Sequence, residues 1–245
     1  MMKVTVVGYW HGYPEKGEAT SGYLLQHDHY NLLLDCGSGV LSQLQKYCSV
    51  NELNAIVLSH YHHDHQADIG PFQYARIMNK GMGKEMNDLT IYGHRDEEAF
   101  VKLAYHDVVK AMSYDDQAPI TIGPFTFHFF KTQHPVPCYA MRIECQNQTV
   151  VYTADSSYFD ELADFAKDAD LLITECSGYA SDPITQFGHM TSTCVGKLAA
   201  KAKPTHLLLS HLPHHGDHEQ LRQEVAESFN GTISLAKSGL GIRLL

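Results

Sequence analysis

Two hydrophobic periods alternate along this chain. Short runs rich in branched and aromatic residues read as strands at 4–7, 23–25, 32–34, 55–58, 89–92, 125–130, 139–143, 150–152, 171–174, 206–209 and 242–244. Runs 23–26 and 31–34 flank His27-Asp28-His29-Tyr30, and runs 142–144 and 149–152 flank Gln146-Asn147-Gln148; each pair predicts a hairpin. Between strands, apolar residues recur with helical spacing. One stripe is Val101, Ala104, Tyr105 and Val108; a second is Phe159, Leu162, Ala163 and Ala166. A third is Val195, Leu198, Ala199 and Ala202, with Thr191 or Ser192 as the N-cap, and a last helix carries Leu221, Val225 and Phe229. All four stripes read as core-packing faces. Strand, turn and helix in succession predict an α/β fold over a single domain, 1–245, with polar residues gathered in the loops that follow strands.

Composition narrows the class. Of 245 residues, 44% are hydrophobic and 19% charged, enough apolar mass for a substantial core and too little charge for a disordered chain or coiled coil. No run reaches the roughly 18 apolar residues of a spanning helix, so no membrane partner is expected. Met1-Met2-Lys3 leads straight into a strand pattern with no apolar export segment. The net charge of −10 argues against a general polyanion binder. Cys36, Cys48, Cys138, Cys145, Cys176 and Cys194 include no C-x-x-C pair, which points to reduced thiols and a cytoplasmic setting. The unusual count is 17 histidines, the commonest metal-ligand type.

Their distribution carries the chemistry. The apolar run 55–58 ends in Ser59-His60-Tyr61-His62-His63-Asp64-His65, an H-x-H-x-D-H pattern with four ligand-type side chains within six residues. In an extended stretch i and i+2 project to the same side, so His60 and His62 can grip one ion. A turn into helix at Asp64 would swing Asp64 and His65 toward a second, since a tetrahedral ion cannot take all four and keep room for water. His63 falls outside the set.

This pattern resembles the metallo-β-lactamase superfamily, and within it the branch of ribonuclease Z and related phosphodiesterases. The resemblance spans nearly the whole chain and implies a four-layer αββα sandwich with a dinuclear metal centre. It also implies three later ligands: His134 after the run 125–130, a bridging Asp155 after 150–152, and His211 after 206–209. One ion is then assigned to His60, His62 and His134, and the other to Asp64, His65 and His211, with Asp155 between them. Two divalent ions less Asp64, Asp155 and one hydroxide leave a charge of about +1, suited to an anionic substrate. Zn²⁺ is the expected metal, with Mn²⁺ or Fe as alternatives. Asp35, in Asp35-Cys36-Gly37-Ser38-Gly39, resembles the family's D-x-G-x-G turn and is expected to support the first histidine ligands.

Two further stretches resemble the phosphodiesterase branch: 169–176, in which Glu175 follows a buried strand, and Gly188-His189-Met190-Thr191 at a helix start. By the resemblance, Glu175 orients His189, which acts on the phosphate or leaving oxygen, while a hydroxide shared by the ions attacks phosphorus and Asp64 helps orient it. The chain also departs from the tRNA-maturing enzymes. Only 20 residues lie between His134 and Asp155, room for a hairpin and not for a tRNA-binding arm. Thr174-Glu175-Cys176-Ser177 stands where the family has H-E-A-T, and Leu212-Pro213-His214-His215 follows the last ligand. The expected substrate is therefore a small or cyclic phosphodiester, with RNA not favoured and a homodimer kept as an expectation. The alternatives are a tRNA 3′-processing endoribonuclease-like enzyme, a thioester or lactone hydrolase on the same fold, and a non-enzymatic metal-binding scaffold.

Overall fold

The computed structural model describes residues 1–244, which form two compact units. The first comprises 1–115 and 237–243, the second 116–236 and Leu244. Each is built on one seven-stranded mixed sheet.

In the first unit β1 (Met2–Gly8), β2 (Gly22–His27) and β3 (Tyr30–Leu34) form an antiparallel meander. A C-terminal strand, Gly241–Arg243, pairs antiparallel with the outer side of β1. The register Tyr23↔Leu34 to His27↔Tyr30 gives the expected hairpin, turning through Asp28 and His29. After the short helix α1 (Val40–Leu44), β4 (Ala55–Val57) joins β3 in parallel. The helices α2 (His63–Gln66) and α3 (Ile69–Gly81) precede β5 (Thr90–Gly93) and β6 (Lys110–Ser113), both parallel additions. The strands buried on both faces read as continuous apolar runs, as parallel sheets do.

The second unit repeats that order of pairings. Strands β7 (Ile120–Ile122), β8 (Phe125–Lys131), β9 (Tyr139–Cys145) and β10 (Gln148–Tyr152) are antiparallel neighbours. Beyond them β11 (Leu171–Glu175), β12 (His206–Ser210) and β13 (Thr232–Leu235) add in parallel. Three helices serve as connections: α4 (Asp160–Phe165), α5 (Ser192–Ala202) and α6 (His218–Ala226). Thr191 is the N-cap of α5, its side chain accepting from the Cys194 amide. The β9–β10 hairpin turns through Gln146 and Asn147 and fills the interval between His134 and Asp155. Among the described residues no helix is long and apolar enough to cross a membrane.

Two expectations fail locally. The stripe from Val101 to Val108 is not a helix: Glu98–Lys102 is one 3₁₀ turn, His106 adopts φ 47°, and Tyr105 and Val109 exchange both backbone hydrogen bonds. Leu103, Val108 and Val109 are buried by that tight turn, while Val101 is exposed. In the last helix Phe229 lies past the end of α6, buried by the turn that follows.

Candidate metal centre

The site residues of the first unit sit at the C-terminal ends of β3 and β4, the parallel half of its sheet. Asp35, directly after β3, takes the left-handed conformation at φ 54°. That strained backbone turns its carboxylate onto the loop after β4, where the Ser59 amide donates to Oδ1 at 2.7 Å and the Ser59 hydroxyl to Oδ2 at 2.8 Å. His65 Nδ1 also reaches Oδ2, at 2.7 Å. Asp35, Ser59, His60 and His65 are all fully buried. Gly37 lets this turn dock: a Cβ there would stand 1.9 Å from the Asp64 carbonyl oxygen and 2.2 Å from Thr20 Oγ1.

Within this loop the donor atoms of the H-x-H-x-D-H pattern converge. His60 Nε2 and His62 Nδ1 are 3.0 Å apart, close to the roughly 3.3 Å separating two nitrogens on one tetrahedral zinc. His65 Nε2 lies 3.7 Å from Asp64 Oδ2, whose oxygen also accepts from the Gly12 amide at 2.9 Å. His60 and His65 each engage a neighbour through Nδ1, which leaves Nε2 as the lone-pair nitrogen a cation requires. His63 is exposed and stands apart. The chemistry and spacing of this donor set therefore fit a divalent ion. Asp35 supports His65 directly and His60 only through Ser59, a sharper arrangement than the sequence implied.

In the second unit the candidates follow β8, β10, β11 and β12. His134 Nδ1 donates to the Gly188 carbonyl at 3.0 Å, again leaving Nε2 as the lone-pair nitrogen a cation requires. Burial holds its pKa below the ordinary histidine value, which favours the neutral, metal-binding ring. Asp155 follows Ala154 at φ 52°, and His211 itself has φ 52°. Asp155 Oδ2 is 3.7 Å from His211 Nε2 and 4.0 Å from His189 Nδ1. Non-glycine residues in this conformation are uncommon, and their presence beside Asp35, Asp155 and His211 marks segments held by their surroundings.

Glu175 ends β11 and is buried. Its carboxylate receives the Ser156 amide at 2.6 Å, the Met190 amide at 3.2 Å, the Ser177 hydroxyl at 2.6 Å and His189 Nδ1 at 3.1 Å. Asp155, Glu175 and His189 lie close enough to be read as a metal triad. The four donors crowded around Glu175 argue instead for an orienting group, because a ligand must turn a lone pair to the ion. His189 stands at the approach to α5, with the Thr191 cap two residues on. The second unit thus brings His134, Asp155, Glu175, His189 and His211 together, and the first brings His60, His62, Asp64 and His65 together. His215, in the stretch after His211, pairs with Asp182 at 3.2 Å. Ser59, Ser156, Ser177 and the Gly188 carbonyl were not foreseen, because serine and glycine in polar loops carry no distinguishing pattern.

The Beta-lactamase superfamily domain model matches residues 30–212. The probable metallo-hydrolase YhfI of Bacillus subtilis (strain 168) is 54% identical over 239 residues, covering 97% of this chain and 98% of that protein. A crystal structure of YhfI, described as a metallo-beta-lactamase fold protein, superposes with a TM-score of 0.96 at 51% identity, covering 98% of each chain. A ribonuclease Z of Thermoplasma volcanium is 22% identical over 267 residues, 86% of each chain. A diphosphatase of the PhnP family shares the fold, with a TM-score of 0.80 at 19% identity over 100% of this chain and 98% of that one. The chain belongs to the β-lactamase superfamily and has the metallo-β-lactamase fold. Within that class it is a metal-dependent hydrolase whose distant relatives include ribonuclease Z.

Proposed function

We propose that the protein is a phosphodiesterase acting on a small or cyclic phosphodiester with a dinuclear zinc centre. The observation that carries this reading is the Glu175–His189 pair, at 3.1 Å, beside the Asp155 and His211 ligand atoms. A thioester releases a weakly basic thiolate that needs no positioned acid, whereas a phosphodiester with an alkyl leaving group releases a strongly basic alkoxide that does.

The proposed ligands are His60, His62 and His134 for one ion and Asp64, His65 and His211 for the other, with Asp155 shared. When bound, the ions supply Lewis acidity toward phosphoryl oxygens and lower the pKa of water. The protein's own groups do the rest. Glu175 accepts from His189 Nδ1, which stabilises the protonated ring and leaves the Nε2 proton for the departing oxygen. The N-terminus of α5 adds a field that favours an anion there. Asp64, steadied by the Gly12 amide, orients the attacking water. The short hairpin between His134 and Asp155 supports a small substrate over tRNA. Six scattered cysteines without a C-x-x-C pair support a reducing, cytoplasmic setting.

The test is metal analysis of the purified protein followed by a panel of bis(p-nitrophenyl) phosphate, cyclic nucleotides, a thioester, a lactone and pre-tRNA. Two equivalents of zinc with turnover confined to the small phosphodiesters is expected. Turnover of the thioester or lactone alone would overturn the reading.

A further inference from the structure

The two units share a device that the donor sets alone do not explain. In each, a serine hydroxyl stands between a buried carboxylate and a histidine Nδ1. Ser59 donates to Asp35 and lies 3.0 Å from His60 Nδ1. Ser177 donates to Glu175 Oε2 at 2.6 Å and lies 2.8 Å from His211 Nδ1. A hydroxyl has one proton and two lone pairs, so its roles at such a node are forced once one partner is an acceptor.

The forcing is strict at Ser177. Glu175 already receives two backbone amides, which can only donate, together with His189 Nδ1. The short contact at 2.6 Å is that of a hydroxyl giving its proton to a carboxylate oxygen. Having spent that proton, Ser177 Oγ must accept from His211, so His211 carries its proton on Nδ1 and its lone pair on Nε2. Nε2 is the atom 3.7 Å from Asp155 Oδ2. Ser177 is 2% exposed and His211 is 2% exposed, so solvent does not readily replace either bond.

We propose that Ser177 is a positioning residue that sets the His211 tautomer and, through Glu175, ties that ligand to the orientation of His189. The proposal rests on the phosphodiesterase reading for the His189 half; the tautomer half stands on the hydrogen bonds alone. Losing the hydroxyl would act on two functions together. His211 would be free to move its proton to Nε2, where it blocks a cation, and Glu175 would lose one of the donors that fix its rotamer.

The experiment compares wild type, Ser177→Ala and Ser177→Thr as metal-stripped and zinc-loaded full-length protein. Long-range ¹H–¹⁵N correlation on the metal-stripped protein reads the His211 tautomer, its signals assigned by their loss in His211→Asn. Wild type and Ser177→Thr are expected to hold the proton on Nδ1, and Ser177→Ala to shift toward Nε2. Competitive zinc titration should show about a 10–100-fold weaker tighter-lost ion in Ser177→Ala, the range for an outer partner of a ligand. In the loaded enzyme the kcat loss should be larger for a poor leaving group than for p-nitrophenolate, with Ser177→Thr restoring both. An Nδ1 proton and unchanged zinc affinity in Ser177→Ala would overturn the proposal, as would a Ser177→Thr protein no better than Ser177→Ala. If no phosphodiester is turned over by wild type, the phosphodiesterase reading fails, while the tautomer and zinc measurements still decide the role of Ser177.

Discussion

His65 donates its Nδ1 proton to Asp35 Oδ2 across 2.7 Å, with both side chains wholly removed from solvent. The same carboxylate holds the Ser59 amide and hydroxyl, so three donors converge on one buried acceptor. Asp35→Ala would leave all three without it. The expected result is a loss of about 3–5 kcal/mol in unfolding free energy, from buried donors that each cost about 1–3 kcal/mol when stranded. The isosteric Asp35→Asn should keep more stability yet weaken zinc binding about 10–100-fold, because an amide cannot orient His65 as a carboxylate does. Denaturant titration and zinc competition check the two effects separately.

Gly37 tests the docking of the Asp35 turn against the histidine-rich loop after β4. A methyl at this position would overlap the Asp64 carbonyl and the Thr20 hydroxyl, neither able to withdraw cheaply. Gly37→Ala should cost about 2–3 kcal/mol, as overpacking does. Gly70, on an open face of α3, provides the control: a Cβ there meets nothing within 4 Å. Gly70→Ala should be neutral or slightly stabilising, through helix propensity. Equal midpoints for the two variants would contradict the geometry.

Acid sensitivity should carry a signature of His206, at the start of β12 and at the opposite end of that strand from His211. Burial lowers its pKa in the folded protein, and its Nε2 lies 2.9 Å from Ser234 Oγ. A depressed folded-state pKa means the unfolded chain binds more protons as pH falls below the ordinary value near 6.5. Stability is then retained above that pH and lost as pH falls toward the folded-state value. His206→Gln should flatten this part of the stability profile, by at most about 1.4 kcal/mol per pH unit. Urea unfolding at pH 7.5 and 5.5 reads the difference, and an unchanged pH slope would refute the assignment.

Much of this architecture was legible because parallel strands buried on both faces, such as β4 and β11, appear as unbroken apolar runs. The histidine-rich loop was legible because four ligand-type residues follow one of them. The longest helix was not. The inward face of α3 is Ile69, Phe72, Gln73 and Arg76, so half of its helical stripe is polar. Arg76 is buried because its guanidinium donates to the Val108, Val50 and Asn87 carbonyls, and Gln73 because it donates to those of Lys102 and Leu103. Tyr74 and Met78 meanwhile lie exposed, which reverses the pattern a hydrophobicity count looks for. The serine links failed to register for a different reason: a hydroxyl's role depends on which carboxylate and which ring nitrogen the fold brings to it.

The hairpin β9–β10 makes a prediction about substrate size. With Gln148↔Cys145 pairing directly at its tip, it offers no extension between His134 and Asp155. Activity on pre-tRNA should be at least 10²-fold below that on the best small phosphodiester, measured as kcat/KM with the same zinc-loaded preparation. Efficient 3′ trimming by the isolated protein would contradict this.

In the proposed reaction His189, held by Glu175, delivers a proton to the leaving oxygen of a phosphodiester. The leaving-group dependence of zinc-loaded wild type and His189→Ala tests this. For an alkyl leaving group kcat should fall by about 10²–10⁴, the range for a lost general acid, with two zinc ions retained. For p-nitrophenolate, which departs without a proton, the loss should be much smaller. Equal losses on both substrates, or none on either, would contradict the account.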